Sequence, residues 1–167
     1  MFVAAILGLS GSPAWSDTNS AQKPSKSAGA LVFVGPPGWQ HVHGTNDGLG
    51  TWLRPGNADY SQNIVVVAKD GIGSLDALLA AEIAYFRGLP DVFGYAPTDT
   101  SVCENHPAKY ISFTYTSPTG LPVTSEIVIA VFETRGYSAR YNKSITQDPD
   151  AAAERSLRTL CGRAASR

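Results

Sequence analysis

Val123-Thr-Ser-Glu-Ile-Val-Ile-Ala-Val-Phe132 carries the decisive pattern of the chain. A half-buried strand alternates apolar and polar residues, because successive side chains point to opposite faces of a sheet. From Ile127 to Phe132 that alternation disappears and both faces are apolar. Such a strand has to be covered on both sides. Ile64-Val-Val-Val67 makes the same demand earlier in the chain. A sheet sandwiched between two layers is therefore the starting point.

Working outward, Gly136 turns the chain into Tyr137–Asn142, where Tyr137, Ala139 and Tyr141 share one face. Upstream, Tyr95–Glu104 and Ala108–Thr116 read as two more strands, with Ser117-Pro-Thr-Gly120 as the turn into the decisive one. Asp70-Gly-Ile-Gly73 ends the strand Asn63–Ala68, and Ser74 is placed to cap a helix. Leu75, Leu78, Leu79, Ile83 and Phe86 follow at helical spacing, and Gly88 and Pro90 stop them. Asp148 reads as the cap of a closing helix with Pro149 at its first position, its inner face formed by Ala153, Leu157, Leu160 and Cys161. At the other end, Leu31–Val34 is a short strand, and Trp39–His43 pairs with Leu49–Leu53 across Asn46-Asp-Gly48. The expected fold is α+β: a mainly antiparallel β-sheet with an N-terminal β-hairpin and helices packed on both faces, an α/β/α sandwich.

Length and charge narrow the function classes. The 167 residues suit one domain, and 43% of them are hydrophobic, which excludes a disordered chain. Thirteen basic residues against fourteen acidic ones leave a net charge of −1. Arg54, Lys109, Arg135, Arg140 and Lys143 are scattered, so no nucleic-acid surface is expected.

Phe2–Leu9 is an apolar run followed by small residues at Ala14 and Ser16. Residues 1–16 fit a secretory signal peptide, although no Lys or Arg precedes Lys23 to form its basic n-region. Residues 17–30 are polar and Ser-rich, as in a flexible linker. The folded domain is expected over 31–161, with 162–167 as a tail and no membrane-spanning segment in the mature chain. Cys103 and Cys161 lack the close spacing of a metal or redox pair. In an oxidising compartment they form one disulfide, stabilising the fold by about 4 kcal/mol in the chain-entropy model. Two buried free thiols in a cytosolic protein are the alternative.

Pro37-Gly-Trp39, Ile64-Val-Val-Val67, Tyr137-Ser-Ala-Arg-Tyr141 and Leu157-Arg-Thr-Leu-Cys161, in this order over 31–161, resemble the Mog1/PsbP-like fold family, in particular its small exported bacterial members. The resemblance implies binding rather than catalysis, and it supplies no catalytic residue to carry over.

The chemistry-bearing residues agree with that implication. His41 and His43 lie on one face of a strand, about 7 Å apart along the chain, and could share a metal with His106 or Asp47. Exposed polar positions on the outer face of a hairpin are the simpler explanation of the pair. Ser74 has a capping role, and no nucleophile elbow or phosphate-binding loop is present. Glu82 and Glu126 are carboxylates among apolar neighbours, with no second carboxylate at a spacing that would face either; salt-bridged or edge positions account for them. Trp39, Trp52, Tyr60, His41 and His43 form the candidate binding surface, with Trp52 and Tyr60 expected to be exposed. The reading that follows is a non-enzymatic secreted or periplasmic domain, without cofactor, that binds a protein or cell-envelope component. The alternatives are a small metal-dependent or hydrolytic enzyme using His41 and His43, and an assembly subunit using a sheet edge at Leu31–Val34.

Overall fold

The computed structural model describes residues 31–44, 49–56 and 60–162. The proposed signal peptide, linker, turn at Asn46-Asp-Gly48 and last tail residues lie outside them. In chain order the elements are β1 (Leu31–Val32), β2 (Gln40–Gly44), β3 (Gly50–Leu53), β4 (Asn63–Asp70), α1 (Leu75–Phe86), β5 (Phe93–Val102), β6 (His106–Thr116), β7 (Pro122–Phe132), β8 (Arg135–Ser144), α2 (Ala151–Leu157) and β9 (Cys161–Gly162). β2–β8 build a seven-stranded sheet ordered β2-β3-β4-β8-β7-β6-β5, and β1 and β9 pair separately. Every pairing is antiparallel. Among the described residues no helix is long and apolar enough to cross a membrane.

The register sorts the side chains into two layers, because directly paired residues share a face. Val42, Thr51, Val65, Arg140, Ile127 and Ile111 form one cross-strand row. His41, Trp52, Ile64, Tyr141, Glu126 and Ser112 form a row on the opposite face. On the first face α1 packs over β7 and β6, and Leu78 and Phe86 bury Ile111, Phe113, Ile127 and Ile129. Gly136 admits this approach, since a Cβ there would meet a Leu78 methyl at 2.9 Å. On the second face α2 packs over β8, with Ala153, Leu157 and Leu160 against a layer that includes Ile64, Val66, Val128 and Tyr141. The double burial demanded by Ile127–Phe132 is thus met by one helix on each side.

Ser74 caps α1 as expected, its Oγ accepting from Ala77 N at 3.1 Å. The closing helix differs from its expected form. Asp150, not Asp148, is the N-cap: its Oδ1 accepts from Ala152 N at 2.8 Å and Ala153 N at 3.3 Å. The chain needs residues 145–149 to leave β8, where Gln147 folds back and donates from Nε2 to Tyr60 O. The helix ends at Leu157, so Leu160 is buried beyond it and Cys161 lies in β9.

Cys103 and Cys161 form the disulfide, with their Cα atoms 5.1 Å apart. It ties β9 to the β5–β6 turn, where Cys103, Glu104 and Asn105 all adopt left-handed φ angles of 39°, 36° and 72°. β9 pairs in turn with β1, Val32 to Cys161 and Leu31 to Gly162, so the fold extends one residue into the expected tail. Leu31 is buried, and Leu31 and Val32 pair with β9 on one side of β1.

The two candidate caps give a direct test. Asp150→Ala should lower stability by about 1 kcal/mol or more, since it also removes an ion pair to Arg54 at 3.6 Å, whereas Asp148→Ala should lie within about 0.5 kcal/mol of the parent in urea denaturation.

Candidate functional site

The sheet divides the residues singled out in the sequence. Trp52 is buried, against Phe33 at 4.8 Å and under the His41 ring at 4.4 Å in a near-parallel stack. Trp39 packs edge-on against Tyr141 on the same face. Trp52 is therefore a core residue and not the exposed one expected, because the hairpin turns this face towards the N-terminal segment. Tyr60 sits elsewhere, beside Asn63, whose Nδ2 donates to its hydroxyl at 3.4 Å. The side chain of His43, and Asp47 altogether, lie outside the described residues.

His106 does not join His41. Its Nε2 donates to the Val131 carbonyl at 2.7 Å and its ring stacks on Phe132 at 4.2 Å, on a strand five places removed from the β2 strand of His41. Among the described residues no group of three potential ligands could hold a metal.

Two surfaces remain, one on each face. On the α1 face, Glu82 reaches the sheet while only 1% exposed. Its Oε1 lies 2.8 Å from Lys69 Nζ, and its Oε2 accepts from Arg140 Nη2 at 3.3 Å. The Lys69 contact compensates charge by proximity without hydrogen-bond alignment, so Oε1 has no directed donor. The Arg140 guanidinium also lies 4.9 Å from the Tyr85 ring centroid and 5.1 Å from that of Phe86. The salt-bridged reading of Glu82 holds.

Arg140 marks a boundary on this face. Towards β7 and β6 Ile127, Ile129, Ile111 and Phe113 are buried under α1; towards β4, β3 and β2 the same face is less covered. Val42, Thr51, Leu53 and Val65 are half-buried, and Val67 is 38% exposed. Tyr85 borders the open part from α1, 52% exposed. At its lower margin Ser125 Oγ donates to Asn142 Oδ1 at 2.9 Å, and Asn142 Nδ2 donates to Asn63 Oδ1 at 2.8 Å. Burial and the neighbouring Tyr60 push the Tyr115 hydroxyl up to about 12.

On the α2 face, a cavity of about 310 Å³ lies between α2 and strands β6 and β7, lined by Tyr110, Glu126, Val128, Glu154, Arg155, Leu157 and Arg158. Here the structure corrects the expectation that no carboxylate faces Glu126: Glu154 does. Burial pushes the Glu126 carboxyl above its ordinary range and the charge of Glu154 adds to the rise, while Tyr110 and Lys143 oppose it. Burial also pushes the Tyr110 hydroxyl up to about 12. The sequence carried one usable signal, since Glu126 interrupts the apolar face of a strand that must be covered on both sides.

No family model matches the sequence, and no curated protein matches it. Solved structures do. LpqN of Mycobacterium tuberculosis, involved in cell envelope biogenesis, superposes with a TM-score of 0.58 at 12% identity, over 79% of this chain and 83% of that one. PA94 of Pseudomonas aeruginosa, a protein of unknown function, superposes with a TM-score of 0.59 at 13% identity, over 82% of this chain and all of its own length. The Ran-binding protein Mog1p of Saccharomyces cerevisiae aligns over 70% of this chain and 73% of its own at 10% identity, with a TM-score of 0.48, too low to add to the argument. LpqN and PA94 are Mog1/PsbP-like, and this chain has that fold. At these identities the likeness speaks for the fold alone.

Glu126 gives a pH-dependent test. A carboxyl whose pKa is raised on folding contributes stability below its unfolded value, near 4.5, and loses it as pH rises through the folded value. Glu126→Gln should therefore melt at a higher temperature than the parent at pH 7, and the difference should vanish when both are melted below about pH 4.

Proposed function

We propose that the chain is a non-enzymatic, exported binding domain whose partner, a protein or cell-envelope component, rests on the open part of the α1 face. The observation that carries this reading is the incomplete cover of that face: β2, β3 and β4 extend the sheet past α1 and leave Val42, Thr51, Val65 and Val67 facing outward in adjacent rows. A contiguous apolar face rimmed by polar groups is what a protein surface offers to a partner. The hairpin thus enters the interface through Val42, Thr51 and Leu53, with Tyr60 at the margin; Trp52, Trp39 and His41 support it from behind. Export is supported by the Cys103–Cys161 disulfide, which suits an oxidising compartment, and by a leader-like sequence at residues 1–16. The envelope role of LpqN, a protein of the same fold, is compatible with this reading.

A photo-crosslinking residue at position 67 should trap one discrete adduct in native cells, and the same residue at position 99, on β5, should not. Val67→Glu should abolish a complex isolated through that adduct while changing stability by no more than about 1 kcal/mol, as expected at an exposed strand position. Equal adducts at both positions, or none at either, would reject the surface.

Compartment is read separately. Protein taken from its native cells without reductant should show no titratable thiol until it is unfolded and reduced, when two appear. Two free thiols in the native protein would reject export.

A further inference from the structure

The cavity on the α2 face holds charges that do not satisfy one another. Glu126 enters from β7, Tyr110 from β6, and Glu154, Arg155 and Arg158 from α2 and its C-terminal end; Val128 and Leu157 supply the apolar lining. Among the described residues, none of these four charged side chains takes part in an ion pair. Arg158 donates once, from Nη1 to Thr100 Oγ1 at 3.2 Å, which leaves most of its guanidinium unengaged. A half-buried carboxylate on an inner strand carries a desolvation cost that a counter-charge would relieve. Two carboxylates and two guanidiniums on one cavity complement a ligand bearing both signs of charge.

We propose that this cavity binds a small zwitterion of the amino-acid class. Glu126 and Glu154 take the ammonium group, Arg155 and Arg158 take the carboxylate, and Val128 and Leu157 face an apolar side chain. Arginine suits the second role because its planar fork matches a carboxylate in a two-pronged contact. Tyr110, held as a neutral phenol at physiological pH, already interacts through its hydroxyl with the Glu126 carboxylate and holds it beside the apolar lining. This site lies on the opposite face of the sheet from the proposed partner surface, so either can fail without the other.

The test is a titration of the folded protein with L-leucine, followed by the methyl signals of Val128 and Leu157. N-acetyl-L-leucine, which lacks the ammonium group, and L-leucinamide, which lacks the carboxylate, serve as paired probes. Saturable shifts with L-leucine, and binding weaker by about tenfold or more with each analogue, are expected. Glu126→Gln and Arg155→Gln should each weaken L-leucine binding by a similar factor, and the first is the substitution expected to stabilise the fold. The proposal is overturned by the absence of saturation at millimolar L-leucine, by equal affinity for all three probes, or by L-leucine affinity unchanged in both variants.

Discussion

A seven-stranded sheet whose inner strands are apolar on both faces has to be covered on both faces, and the described residues supply two short helices with which to do it. Six strand spacings make the sheet about 29 Å wide, whereas one helix with its side chains spans about 10–12 Å. Each helix therefore covers little more than two strands. The rest must be covered by connecting segments, by long side chains, or by something outside the chain. On the α2 face, Leu31, Phe33, Trp39 and Trp52 supply most of what α2 does not, and the β1–β9 pair with its disulfide holds that border together. On the α1 face no comparable segment among the described residues covers β2–β4. Both candidate sites are consequences of this shortage of cover.

The position of α1 is set by charge as well as by packing. A carboxylate as buried as Glu82 is costly unless it is compensated, and removal of one partner from such a group destabilises by several kcal/mol. Lys69 on β4 and Arg140 on β8 both reach it, from neighbouring strands on the open side of the helix. The arrangement draws α1 towards the middle of the sheet, while Leu78 and Phe86 hold it over β7 and β6. Arg140 then lies against Tyr85 and Phe86 and closes the helix layer at its edge. The open face begins where that layer ends.

Much of this was legible in sequence because it rests on periodicity. The loss of alternation at Ile127–Phe132 called for two layers, and the stripe from Leu75 to Phe86 with Ser74 before it called for α1. What stayed illegible depends on how segments meet. Asp148 and Asp150 are equally good caps on paper; only the return of Gln147 to Tyr60 fixes which one starts the helix. Trp52 reads as a hairpin aromatic that could face either way, and the register that pairs it with Ile64 turns it inward. Glu154 follows a helix start that was misplaced by two residues, so its approach to Glu126 could not be inferred from spacing. The same register shows why Glu126 and Arg140, both inner-strand charges near the centre of the sheet, serve different surfaces: they stand on opposite faces.

Of the two outer strands of the sheet, β2 and β5, the second offers a partner less than the open face does. β5 is an outer strand with unpaired backbone groups along one side, the usual starting point for strand addition. Several features oppose that use. Its register shifts between Phe93 and Ala96, Pro97 removes a backbone donor, and Asp99 projects an 89% exposed carboxylate paired with Lys109. Gly94 adds a left-handed kink at φ 76°. Irregularity, proline and charge are the means by which edge strands resist pairing, and β5 combines all three. The half-buried residues of β2–β4 carry no such safeguards. On the α1 face Val42, Thr51, Leu53 and Val65 are apolar or small, the β3–β4 register runs without a shift, and Val67 stands exposed among them. A chain that guards its β5 edge and, among the described residues, leaves part of one face uncovered directs association towards that face.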